Sequence, residues 1–209
     1  MTTPTTLAPN PTARRIGGWA MILGPVLLLA STVAFITDGE GINHGHLGGT
    51  IGVWSCLALS LAFIAILRAT EPVAPRAAPI LTAIAVIGFA AGVGFNIDAI
   101  VAADFGREAV DAATEETPYV LLAFIPWGWF APLTFVATGV LLWRTGGGVP
   151  RRSAGLLIAA GVLFLASRPA RVEPLAVISD CALILALVPM GWSALTGAGT
   201  SDRRPVPAT

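Results

Sequence analysis

The chain of 209 residues contains no lysine: all twelve of its basic residues are arginines, balanced by twelve acids. Without a lysine amine it cannot be a Schiff-base pigment of the rhodopsin kind or use a lysine nucleophile. A formal net charge of zero, with a sequence pI near 6.7, excludes a basic nucleic-acid-binding surface. Charge of either sign is scarce, at 11% of residues against roughly a quarter in a soluble domain. Cysteine is limited to Cys56 and Cys181, each inside an apolar run, which leaves neither a disulfide framework nor a C-x-x-C redox motif.

What fills the chain instead is apolar: 55% of residues are hydrophobic and the mean hydropathy is +0.79. A spanning helix needs about 20 such residues. Runs at residues 16–36, 46–67, 80–102, 119–143 and 175–195 meet that length, and a shorter one at 150–168 does so if Arg168 snorkels to the headgroups. The reading is an all-α, six-helix transmembrane bundle, a polytopic membrane protein whose immediate partner is the lipid bilayer. Residues 1–15, rich in Thr and Pro, and 196–209, rich in Gly, Ser and Pro, read as disordered tails.

Charge sidedness sets the orientation. Nine of the twelve arginines (Arg14, Arg15, Arg68, Arg76, Arg144, Arg151, Arg152, Arg203 and Arg204) fall in the tails, the second loop and the fourth loop. Eight of the twelve acids fall in the alternate loops. The arginine bias puts both termini in the cytoplasm, requires an even number of spans, and suits the inner (plasma) membrane. Tyr119, Trp19, Trp143 and Trp192 stand at span ends, where interfacial aromatics belong. Arg14-Arg15 before an apolar run that reaches Ala30 and Ala34 also suits a secretory signal, but the run continues through Gly24-Pro25 for 21 residues and reads as a span.

Lipid offers helices no hydrophobic reason to associate, so small residues must let the backbones approach. Ala20/Gly24, Gly45/Gly49, Gly48/Gly52 and Gly88/Gly92 are each four apart and share a helix face. Packing within the chain is the expected use. Gly48, Gly52, Gly88 and Gly92 are also where a membrane partner subunit or a second copy would seat. Pro25, Pro126, Pro132 and Pro189 lie inside spans and bend them. In the stretch 124–132 two prolines flank Gly128, so irregular backbone is expected there, with Trp127 and Trp129 as space-fillers or as an aromatic wall.

Two carboxylates interrupt the spans, Asp98 and Asp180, each about five residues from a helix end and so roughly 7 Å below the same interface. Intramembrane acids turn inward and pair, and Asn96, Arg168 and Arg171 are the available partners. In one reading Asp180 pairs with Arg168, and Asp98 with Arg171 or Asn96, locking helix ends together. In the other, Asp98, Asp180, Asn96, Arg168 and Arg171, walled by Trp127 and Trp129, form an outward-facing site for a small polar solute. His44 and His46 form an H-x-H pair beside Asp38 and Glu40 that could hold a divalent metal. In a glycine-rich loop, solvated histidines are the expectation, with no metal, no cofactor and no catalytic residue.

Motifs of six-span enzymes fail residue by residue. Gly191-Trp-Ser193 is followed by no histidine, as a rhomboid-like protease needs; Ser167-Arg168 leads to none either, as a lipid-phosphate phosphatase needs. Asp98, Asp104, Gly106, Arg107 and Asp111 do not match the spacing of CDP-alcohol phosphotransferases. In size, span number, cytoplasmic termini and a first helix with Ala20 and Gly24, the chain resembles the substrate-capture subunits of energy-coupling vitamin transporters, a resemblance of architecture that implies solute binding. The expected function is a small-solute-binding or transport-related module. The alternatives are a structural or partner-binding membrane subunit, and an intramembrane enzyme using Asp98 and Asp180 as an acid pair.

Overall fold

A computed structural model describes residues 10–117, 119–146 and 149–197. Among these described residues eight helices follow one another: α1 (Pro11–Thr37), α2 (His46–Thr70), α3 (Ala77–Phe105), α4 (Arg107–Glu116), α5 (Tyr119–Gly128), α6 (Phe130–Thr145), α7 (Arg151–Ser167) and α8 (Glu173–Thr196). No strand occurs among the described residues. Four of these helices, α1, α2, α3 and α8, are long and apolar enough to cross a membrane. Their outward surface agrees: Trp54, Ile80, Ile97 and Leu185 are each at least half exposed, a belt that would drive aggregation in water and is at home in hydrocarbon. The protein is an all-helical membrane protein.

Several boundaries differ from the sequence reading, each for a local reason. Asn10 accepts a hydrogen bond from the Thr12 amide at 2.9 Å and Pro11 fits the first helical position, so α1 starts five residues before position 16 and takes in residues assigned to a tail. The rest of the expected tails, 1–9 and 198–209, lies outside the described residues. The apolar run 119–143 is two helices, not one. Pro132 has no N–H to return to the Gly128 carbonyl, and the chain breaks at Gly128-Trp129 between α5 and α6. α7, at 17 residues and about 25 Å, is the short element the sequence suggested. Residues 107–116, read as loop, form α4, none of which is buried.

Neighbouring helices close a ring: α1 packs on α2, α2 on α3, α3 on α5 and α6, α6 on α7, α7 on α8, and α8 on α1. Glycines set the seams. A Cβ on Gly24 would lie 2.9 Å from Leu59 of α2, one on Gly191 would lie 2.6 Å from the Gly18 carbonyl of α1, and one on Gly161 would lie 2.8 Å from the Pro132 carbonyl of α6. The four glycines that were also candidates for a partner seam are spent in the same way. Gly48 meets the Phe35 ring, Gly52 the Asn96 amide, Gly88 the Phe130-Ala131 backbone and Gly92 the Cys56 sulfur, so those faces are already filled by the chain itself. Side-chain hydroxyls add cross-links to carbonyls: Ser31 donates to Gly48 O at 2.6 Å, Ser55 to Gly24 O at 2.9 Å, and Ser179 to Ala160 O at 3.0 Å.

The helix directions sort charge to two ends. Arg14, Arg15, Arg68, Arg76, Arg144, Arg151 and Arg152 gather at one, the basic end; Asp38, Glu40, Asp104, Glu173 and all of α4 gather at the other, the acidic end. Between them, inside the ring, Phe63, Phe89 and Phe135 stack with centroids 5.3 to 6.0 Å apart, and Phe164 meets Phe135 edge-on at 5.9 Å. This aromatic cluster plugs the middle of the molecule and floors the space above it.

Candidate functional site

Above that floor, towards the acidic end, lies a cavity of about 310 Å³ inside the ring. Phe89, Phe135 and Phe164 form its base, Leu28, Leu59 and Phe95 its sides, and the break at Gly128-Trp129 one wall. The break matters because Pro132 cannot carry the helix on across it, and Trp129, the residue between α5 and α6, lies on the wall of the cavity. Polar groups are few and sit high: Ser31, Asn43, Asn96 and Arg168. A volume near the lower bound of small-molecule sites, with a mostly apolar lining and a few convergent polar groups, is the composition of a ligand cavity.

Arg168 is held there by two other helices. Its Nη2 donates to Asp180 Oδ2 at 3.0 Å and to Thr32 Oγ1 at 2.6 Å, and its guanidinium lies 5.0 Å above the centre of the Phe164 ring. Thr32 in turn donates to Asp180 Oδ2; the Leu28 carbonyl is also within reach at 3.1 Å, but a carboxylate is the stronger acceptor. Asp180 is fully buried, and the pair with Arg168 is the one the ion-pair reading of the sequence named. Thr32 was not anticipated. Threonines in these helices usually bond the carbonyl four residues back, as Thr70, Thr82 and Thr134 do, so nothing in the sequence sets Thr32 apart.

The expectation that Asp98 and Asp180 meet does not hold. Asp98 is about a quarter exposed and binds Arg107 Nη1 at 2.8 Å, while Arg107 Nη2 donates to the Asn43 carbonyl at 2.8 Å. The reason is the turn at Gly106, whose φ of 83° folds the chain back so that the first residue of α4 returns over the end of α3. Each acid therefore has its own guanidinium in a different seam, and the proposed acid pair of an enzyme is not assembled. Arg171, expected beside Asp98, is exposed in the α7–α8 turn with a φ of 53° and pairs with neither acid.

Of the seven residues singled out, the fold brings Asn96, Arg168 and Trp129 to the cavity wall. Asp180 stands behind Arg168 as its counter-charge. Asp98, Arg171 and Trp127 are not on the wall; Trp127 is 43% exposed and packs edge-on against Phe130 at 5.6 Å. Asn96 donates to the Gly92 carbonyl at 2.8 Å and has room because Gly52 opposite it carries no side chain. Ser31 and Asn43, which the sequence did not single out, complete the polar rim. His44 and His46 each have a partner at the end of α3: Nε2 of His44 is 3.1 Å from the Ala102 carbonyl, and Nε2 of His46 is 2.7 Å from Asp104 Oδ1. Among the described residues no group of three His, Cys, Asp or Glu side chains is placed to hold a metal ion. Compared with protein-family models, curated proteins and solved structures, the chain matches none.

Proposed function

We propose that the protein crosses the inner membrane six times, with both termini in the cytoplasm, and binds a small molecule in the cavity of its helix ring. The broken pair α5–α6 and the short α7 supply the fifth and sixth crossings beside α1, α2, α3 and α8, because each continues the ring and joins the same two ends. Arginines concentrated at the end that carries the first and last helix termini favour that end as cytoplasmic. The acidic end, and the cavity beneath it, then face outward.

The observation that carries the binding reading is the convergence of Arg168, Asn96 and Trp129 on one cavity from α7, α3 and the α5–α6 break. A purely structural bundle has no need of such a space, since an unfilled cavity costs stability in proportion to its volume. The occupant differs from the small polar solute that the sequence suggested. With Asp180 spent on Arg168 and Asp98 turned away, the walls are mainly aromatic and aliphatic, so the ligand must be largely apolar. Mass spectrometry of protein purified from native membranes tests this, with Leu28→Trp, which fills the cavity, as the control. A molecule retained by the wild type and lost from the variant is the expected outcome. Equal content in both, with no ligand-dependent difference in thermal stability, would overturn the reading.

A further inference from the structure

At the basic end seven arginines stand with a single acid among the described residues, Glu71. With guanidiniums in such excess, an ion pair within the chain would be the ordinary arrangement for a carboxylate. None of the ion pairs among the described residues includes Glu71 or Arg68, three positions before it. Both are exposed, and both line a crevice of about 170 Å³ where α2 turns into α3. Its other sides are Leu67 and Ala78, which are buried, and Pro79 and Thr82 of α3.

Size and order constrain the occupant. The crevice is smaller than the roughly 300 Å³ at which sites for whole small molecules begin, so it takes one end of a molecule and leaves the rest outside. Towards the middle of the membrane that outside is apolar. Leu61, two turns from Arg68 on the same face of α2, is 49% exposed, and Val86, two turns from Pro79 on the same face of α3, is 42% exposed. Gly52 against Asn96 and Gly92 against Cys56 fix the antiparallel register of the two helices, which brings Leu61 and Val86 to nearly one level. From the membrane centre outward the chemistry is therefore hydrocarbon, then the cation of Arg68, then, about 4.5 Å further along the helix, the anion of Glu71. A phospholipid with a primary amine in its headgroup presents the complementary series in the same order: acyl chain, phosphate, ammonium.

We infer that the crevice between α2 and α3 is a headgroup site for a zwitterionic aminophospholipid of the phosphatidylethanolamine kind. The guanidinium of Arg68 donates to the phosphate, an acceptor its planar fork suits, and the carboxylate of Glu71 accepts from the ammonium. The acyl chains lie along Leu61 and Val86. A purely anionic lipid, which seven arginines would otherwise favour, gains at Arg68 but brings nothing to Glu71 and is repelled by it. A trimethylated headgroup brings the positive charge without an N–H to donate. Arg68 thus holds the phosphate common to all these lipids, and Glu71 chooses among headgroups. The site is separate from the inner cavity and does not depend on what that cavity holds.

The full chain in nanodiscs is offered three photoreactive phospholipids with identical diazirine-bearing acyl chains and different headgroups: ethanolamine, choline and glycerol. Cross-linked residues are mapped by mass spectrometry. The ethanolamine lipid is expected to label the α2–α3 seam around Leu61 and Val86 about fivefold more than the glycerol lipid, the most that an exposed ion pair supplies, and also more than the choline lipid. Glu71→Gln is expected to remove that preference without lowering labelling by the glycerol lipid. Arg68→Gln is expected to lower labelling by all three. Arg76→Gln, which removes a charge at the same end but outside the crevice, is expected to keep the preference. All three side chains are exposed, so the variants should fold, as read by gel filtration, and the headgroup comparison in the unaltered chain needs no variant. Equal labelling of the seam by the three lipids would make it an ordinary lipid contact, and stronger labelling by the glycerol lipid would make it a general attraction of arginines for anions; either result overturns the site. A preference that survives Glu71→Gln, or that Arg76→Gln also abolishes, would overturn the roles given to Arg68 and Glu71.

Discussion

Two of the ion pairs near the acidic end, Asp180–Arg168 and Asp98–Arg107, join the same residue types with their acids at similar depth along their helices, and they stand in opposite surroundings. Asp180 and Arg168 have side-chain exposures of 0% and 12%; Asp98 and Arg107 have 26% and 24%. The first pair lies in the seam of α1, α7 and α8 with Thr32 as a third member, and carries a cavity-lining guanidinium. The second lies at the rim, ties α4 to the end of α3, and holds the loop at Asn43 by a further hydrogen bond. Depth along a helix, which sequence position reports, does not decide what an intramembrane acid does. The face it occupies does, because the face sets how completely water is replaced by protein.

The largest effect is expected at the buried pair. Asp180→Ala alone leaves the Arg168 charge uncompensated among apolar groups, a change that typically costs about 3–5 kcal/mol. Arg168→Met alone should cost as much by stranding Asp180. The double variant Arg168→Met/Asp180→Leu is expected to recover most of that loss, since a buried pair exchanged for apolar groups of similar size is often neutral. Unfolding in mixed detergent, read as a double-mutant cycle, measures all three. A double variant as unstable as the sum of the singles would break the contrast between the two pairs, by showing that Asp180 supports folding through contacts other than Arg168.

Thr32→Val is expected next in size. It keeps the shape of the side chain but removes the hydroxyl that donates to Asp180 and accepts from Arg168. Hydrogen bonds to charged groups contribute about 1.5–3 kcal/mol, so a loss in that range is expected in the same unfolding measurement. In the Arg168→Met/Asp180→Leu background the same substitution should lose most of its effect, because the hydroxyl keeps only the Leu28 carbonyl as a partner. An undiminished cost in that background would show that Thr32 acts outside the triad.

Those residues also mark how far the sequence could be read. The apolar runs locate all the long helices, since hydropathy over about 20 residues reports the solvent directly, and α1, α2, α3 and α8 stand where their runs are. The break between Pro126 and Pro132 was legible because a missing backbone donor is a local property of proline. The pairing of Asp180 with Arg168 was legible because both flank one short turn. The partner of Asp98 was not: Arg107 is only nine positions on, but it returns to the acid through the positive φ of Gly106, which composition does not reveal. Nor was the cavity. It arises where the chain breaks between α5 and α6 and both pack on α3, a matter of tertiary packing with no signature in either segment.

The smallest effect is expected at the rim. Asp98→Asn removes a charge that water still reaches and keeps an oxygen able to accept from Arg107, whose second bond to the Asn43 carbonyl is untouched. Pairs of this kind contribute about 0–1 kcal/mol, so the variant should fall within that range of the wild type in the unfolding measurement. Ionic strength separates the two pairs without a mutation. At about 1 M salt the screening length is near 3 Å, and the rim pair weakens, while the triad in its dry seam does not. High salt should therefore shrink the difference between wild type and Asp98→Asn towards zero, and leave the deficit of Asp180→Ala as it was. A salt-insensitive Asp98→Asn deficit, comparable to that of Asp180→Ala, would mean that the rim pair is as well shielded as the buried one, and that α4 with its Arg107 is a fixed cover over the end of α3.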